Sequence, residues 1–399
     1  MRLAIVVPRY GERVLGGAET LARQLAERLS HSEFDVDLLT TCAHDMHTWR
    51  NVYPPGAAQS NGVRVRRFPI DHHLWNERRH RELMHKFANR EPTTVDEEYE
   101  WIDNSAHSPA LYGYLLQHGN EYDLLIFTPY LFGVTFYGMS LLPERSILLP
   151  CLHDEPFARF LQTRLMMESC RGLLFISAPE MTLAQDKLGI RNPGARLVGF
   201  GLDDHQSNGE RFRRRFGLHD PFLLYTGRLD GMKNLLELFS FFGEYKRLRP
   251  GPLKLVLMGD GPLPVPTHPD VIPLGFLPEQ DKLDGYNAAT ILCQPSLMES
   301  FSIVLMEAWL SETPALVHGD CDVTRDHVRR SNGGLYYTDF DEFTGALDWL
   351  IERPTERARM GKLGRAYVRA EYNWETVLDR FRDAVKTWQQ PSRTLELKQ

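Results

Sequence analysis

Short apolar runs alternate with helical stretches along almost the whole chain, and they do so in two successive sets. In the first, residues 3–7, 34–40, 122–127, 146–150, 172–177 and 196–201 predict strands; in the second, residues 222–226, 253–258, 271–276, 290–294, 315–317 and 335–337 do so. Runs that are apolar throughout predict strands covered on both faces, as in parallel sheets wrapped by helices. A polar stretch over 202–219 separates the sets, and 399 residues are enough for two cores. The expectation is therefore an α/β chain of two Rossmann-like, doubly wound domains, 1–201 and 202–372. Residues 71–121 interrupt the first set with a charged, helical insertion whose histidines read as solvated. A helix over 373–390 and a disordered tail over 391–399 follow.

Charge and cysteines narrow the classes. A net charge of -7 argues against a nucleic-acid partner. Cys42, Cys151, Cys170, Cys293 and Cys321 are far apart, with no C-x-x-C pair, and read as buried thiols of a cytoplasmic protein rather than zinc ligands or disulfides. Met1-Arg2 runs straight into a strand, which leads to the expectation of no signal peptide. Residues 124–143 carry no charge, but Pro129, Gly133 and Gly138 split them into a strand and a helix.

Chemistry-bearing residues fall where predicted strands end, the edge at which α/β sheets bind ligands. After the strand at 290–294, Pro295-Ser296 leads into a buried helix, with Glu299 before it and Glu307 eight positions on. Ser300 or Ser302 can cap that helix, leaving N–H groups suited to an anion. The two acids can accept hydrogen bonds from vicinal hydroxyls; equally, one caps the helix and the other is solvated. After the strand at 222–226, Arg228 and Lys233 stand at a helix start, where the dipole favours acids, so an anion is expected between them. His153, with Asp154 and Glu155, follows the strand at 146–150, either as a chemical group or beside an Asp154 cap. The first loop holds Gly11, Gly16 and Gly17 but no G-x-G-x-x-G, which argues against a dinucleotide site.

Glu299 and Glu307 with seven residues between them, together with the Gly-Arg-x4-Lys element at Gly227, Arg228 and Lys233, resemble the donor-site motifs of the group-1 (GT4-like) retaining glycosyltransferases of the GT-B fold. The resemblance implies two Rossmann-like domains with a cleft between them, and a nucleoside-diphosphate-sugar donor as co-substrate rather than a cofactor. It implies that Arg228 and Lys233 hold the diphosphate, Glu299 the transferred sugar and Glu307 the ribose. Ser300, Phe301, Ser302 and Ile303 would line the donor at the helix start. Gly16 and Gly17 would lie near the phosphates, and His153 near sugar and acceptor. The last helix would cross back so that Trp374, Phe381 and Trp388 pack on the first domain. The acceptor would be a glycan, lipid-linked or small molecule, with room for peripheral contact at the inner face of a membrane. Members often carry Gly where this chain has Ser300, Ser302 and Glu312. Asp320-Cys321-Asp322 spells a D-x-D, read here as loop and cap acids, so no metal site is expected.

Overall fold

The structure, a computed structural model, describes all residues except 12, 13, 15, 47 and 390–399. The tail expected from residue 391 lies outside the described residues. The chain forms two units, Met1–Gly199 with Leu378–Gln399, and Phe200–Val377.

The first unit is built on strands β1 (Arg2–Val7), β2 (Asp35–Thr41), β3 (Gly56–Ser60), β4 (Val63–Phe68), β5 (Leu124–Phe127), β6 (Ser146–Leu148), β7 (Gly172–Phe175) and β8 (Arg196–Leu197). Their spatial order is β3-β4-β2-β1-β5-β6-β7-β8, parallel except for β3 against β4. Leu3 to Val7 are almost wholly buried, as a strand covered on both faces requires. The β3–β4 hairpin was not expected from the apolar runs. It turns on Asn61 and Gly62, both at positive φ (47° and 81°), the backbone a two-residue hairpin demands.

The interrupting segment contains the helices Glu77–Ala88, Val95–Asp103 and Pro109–His118. The third is not a solvated insertion. Ser108 caps it, Pro109 begins it, and Leu111 and Leu115 are fully buried in the core beside β5. The other two carry charged faces tied by pairs such as Arg78–Glu82 and Arg81–Glu77. Their inner face is aromatic: His80 stacks on Trp101 at 4.8 Å, and Trp101 on Phe157 at 4.4 Å.

The second unit carries six parallel strands, β9 (Phe222–Thr226), β10 (Lys254–Met258), β11 (Val271–Pro273), β12 (Ile291–Gln294), β13 (Ala315–His318) and β14 (Gly334–Tyr337), ordered β11-β10-β9-β12-β13-β14. The chain winds outward from β9 through β10 to β11, then returns to β12 and winds the other way. The loops after β9 and β12 therefore flank the switch point, where open α/β sheets bind ligands.

The last helix, Trp374–Gln389, begins in the second unit and continues into the first. Phe381 packs edge-on to Phe34 at 5.7 Å, and Trp388 Nε1 donates to Gly194 O at 2.7 Å, both within the first unit. Trp374 packs on Phe200 at 5.7 Å and leaves no room for a side chain at Gly201.

Candidate active site

Three loops of the second sheet build the site. After β9, Gly227 (φ 147°) lets the chain turn sharply into Arg228. After β10, Gly259 (φ 136°) touches it: a Cβ there would stand 1.9 Å from Gly227 O. Leu229 N–H then donates to Asp260 O at 2.9 Å, so the two loops are locked together. Arg228 pairs with Asp230, whose carboxylate also accepts the Lys233 N–H at 3.2 Å. Lys233 ends a single 3-10 turn, Gly231–Lys233, and Asn234 follows at φ 57° before the helix Leu235–Leu248 begins. The two cations thus sit outside the first turn of that helix, and their expected conflict with its dipole does not arise. Each already has an acidic partner.

The third loop follows β12. Glu299 Oε1 lies 2.7 Å from Lys233 Nζ, with side chains 12% and 27% exposed. Gln294, at the end of β12 and buried, directs its Nε2 to Glu299 Oε1 at 3.4 Å and to Ser302 Oγ at 3.3 Å. Its own Oε1 is buried and has no hydrogen-bond partner among the described residues. The helix Ile303–Leu310 starts after Ser302, which adopts a left-handed backbone (φ 69°) and makes no side-chain cap. Neither serine caps this helix as expected, and among the described residues no side-chain acceptor is found for its leading N–H groups. Phe301 is turned inward against Tyr372 and His327, so only its backbone can face a ligand. Ser300 and Ile303 are half-buried beside it.

Glu307 lies one turn into the helix and meets different partners from Glu299. Lys282 Nζ and Tyr286 OH each stand 2.9 Å from one of its oxygens. Burial pushes its carboxyl above the ordinary range, against the pull of Lys282. Burial would lower the Lys282 ammonium, but Glu307 and Glu279 outweigh it and hold it up. Both partners come from the helix Glu279–Ala288 and were not singled out from the sequence. Gln294 was also missed, although a polar residue closing an apolar strand is a readable signal.

His153, Gly16 and Gly17 belong to the first unit. Gly16 precedes the helix Gly17–Ser30, and a Cβ there would strike the Glu19 carboxylate, which Arg9 holds at 2.5 Å. Gly17 has open space around it. His153 is half-buried, with Nδ1 3.6 Å from Glu155 Oε1. Asp322 opens the helix Asp322–Ser331 and pairs with Arg325, and Asp320 N–H donates to His318 Nδ1 at 3.1 Å. No group of three metal-ligating side chains occurs among the described residues, and no described helix is long and apolar enough to cross a membrane.

Two parallel-sheet units, with cations and acids converging at the switch point of the second, define the GT-B architecture of glycosyltransferases. Residues 207–367 match the family Glycosyl transferases group 1. A D-inositol 3-phosphate glycosyltransferase of Rhodococcus erythropolis is 28% identical over 213 residues, covering 48% of this chain and 47% of that protein. The chain thus spans about half the length of such curated relatives. Sucrose-phosphate synthase of Thermosynechococcus elongatus superposes with a TM-score of 0.71 at 17% identity, covering 97% of this chain and 98% of that one. Anabaena HepE in complex with UDP gives 0.71 at 15% identity, covering 97% and 100%.

Proposed function

We propose that this protein transfers a sugar from a nucleoside-diphosphate sugar to an acceptor hydroxyl, with retention at the anomeric carbon and without a metal ion. The observation that carries this reading is the Lys233–Glu299 pair beside Arg228, on neighbouring loops of the switch point. A diphosphate fits the two cations and the uncapped start of the helix Ile303–Leu310. Vicinal sugar hydroxyls fit Glu299, and the ribose fits the lone pairs that Glu307 has left beside Lys282 and Tyr286.

The reaction begins as the bond between anomeric carbon and diphosphate oxygen lengthens. Arg228, Lys233 and the helix N–H groups neutralise the departing charge, while Glu299 stabilises the oxocarbenium-like sugar. The acceptor oxygen then bonds to the anomeric carbon on the face the diphosphate leaves and passes its proton to the departing phosphate oxygen, which preserves configuration. His153 orients the sugar or the acceptor. HepE's complex with UDP makes UDP sugars the first donors to try. The names of the inositol-phosphate and phosphatidylinositol-mannoside relatives put phosphorylated polyols and lipid-linked sugars among the first acceptors to try, with glycans beside them.

Thermal shifts with UDP, GDP, ADP and TDP test the donor. The matching nucleotide at about 100 times its Kd stabilises the fold by ~2.7 kcal/mol, and mismatched bases by much less. Release of that nucleotide from its sugar conjugate, dependent on an acceptor, is the expected activity. No stabilisation by any of the four would overturn the reading.

A further inference from the structure

The segment that presents His153 is held with unusual completeness. Leaving β6, the chain passes Cys151 in a left-handed backbone (φ 53°), a conformation that costs a non-glycine residue energy and persists only when its surroundings enforce it. Tyr130 supplies two anchors: its N–H donates to Pro150 O at 3.2 Å, and its hydroxyl to Glu155 Oε1 at 2.7 Å. The third anchor is Glu180, on the short helix Ala178–Thr182 that follows β7. Its side chain is buried. Oε1 accepts the Leu152 N–H at 2.7 Å and Oε2 the Ile176 N–H at 2.8 Å, so one carboxylate ties the ends of β6 and β7 together next to His153.

Ser177 and Glu180 have the S-x-x-E spacing of a capping box, and Ser177 Oγ does accept the Glu180 N–H at 3.3 Å. A cap alone does not require burial. Burial pushes the Glu180 carboxyl up to about 7, against the opposing pull of the Ile176 and Leu152 N–H groups and, after them, of His153. The other ionisable group facing it is Cys151, whose thiol is pushed up by burial and by Glu180; Glu19, paired with Arg9, acts on the same thiol. A buried acid that contacts Leu152 and senses His153 serves the loop as much as its own helix.

We propose that Glu180 is a positioning residue for His153, fixing the residues 149–155 so that the imidazole is presented in one orientation; this rests on the transfer reaction proposed above. Glu180 touches neither donor nor acceptor in this scheme and acts only through the backbone of Leu152 and the charge it shows to His153.

A double-mutant cycle tests it, using Glu180→Gln and His153→Ala with amide hydrogen exchange of residues 149–155 alongside. Glu180→Gln is expected to lower kcat about tenfold with the KM for the sugar nucleotide unchanged, and to add less than about twofold once His153 is Ala. Protection of the Leu152 amide should fall about tenfold while β1 and β5 keep theirs. Should Glu180→Gln not fold, Glu180→Asp retracts the same carboxylate by one methylene and is read identically. Equal losses in both backgrounds would make Glu180 a general structural residue and overturn the proposal, as would unchanged exchange at Leu152 or a wild-type kcat. A wild type that turns over no sugar nucleotide would instead overturn the transfer reading, with exchange still deciding whether Glu180 holds the loop.

Discussion

Replacing Glu299 by Gln separates nucleotide binding from sugar transfer. In the free protein Glu299 holds Lys233 at 2.7 Å, and Asp230 holds Arg228. A diphosphate must therefore compete with Glu299 for the Lys233 ammonium. Gln keeps the side-chain shape and removes the competing charge. A pair this shielded, yet still reached by water, contributes about 1 kcal/mol net, so affinity for free UDP or GDP should hold or tighten by up to about fivefold. Turnover should move the other way. Losing a charged contact to the sugar in the transition state costs on the order of 2–4 kcal/mol, roughly thirtyfold to a thousandfold in kcat. Lys233→Ala should weaken the same nucleotide about tenfold, and in its background Glu299→Gln should no longer alter affinity. Calorimetric titration of the wild type, both single variants and the double variant measures all four corners. If Glu299→Gln weakens free nucleotide as much as Lys233→Ala does, Glu299 binds the diphosphate end and the assignment is wrong.

Transfer should survive excess EDTA, while Arg228→Ala and Lys233→Ala each lower it by at least ~100-fold; activity lost to EDTA and restored by magnesium or manganese would move the chemistry to a site such as Asp320 and Asp322. Glu307→Ala should cost about 2–4 kcal/mol in urea unfolding, because Lys282 and Tyr286 lose their shared partner. The same variant should weaken UDP but not inorganic pyrophosphate, and equal loss for both would remove the ribose assignment. Glu180, raised from 4.5 to about 7 by burial, binds its proton more tightly in the fold than in the unfolded chain. Its stabilising contribution is complete below about pH 4.5 and is lost as pH rises through about 7, so the wild type should lose about 3 kcal/mol more than Glu180→Gln between pH 4.5 and 8. Parallel urea curves with no such difference would refute that shift.

The parallel strands were legible because strands covered on both faces must be apolar at every position, and residues such as Leu3, Ile5, Leu223 and Leu224 are fully buried. The β3–β4 hairpin was not, because β3 reads Gly-Ala-Ala-Gln-Ser and is exposed except at half-buried Ser60; only Asn61-Gly62 marks it. The helix Pro109–His118 reads as part of a solvated insertion because its two buried leucines lie among Tyr, Gln and His; its Ser-Pro start is the better signal.

At the site, the order Arg228, Lys233, Glu299, Glu307 was readable, but the partners were not, since pairing is a tertiary property. Lys282 and Tyr286 reach Glu307 from another helix, and nothing in the local sequence names them. The dipole argument placed both cations at the helix start, whereas the turn Gly231–Lys233 and left-handed Asn234 put them before the helix. Two departures from the family pattern become physical here. Ser302 and Glu312, where glycine is frequent, stand at φ 69° and 60°, which glycine adopts at no steric cost. Arg365 holds Glu312 by a 2.9 Å pair, and Gln294 reaches Ser302 Oγ with the amide it also directs at Glu299. The serine thus gives Gln294 a second contact that a glycine could not, and links the strain at the helix start to the carboxylate assigned to the sugar.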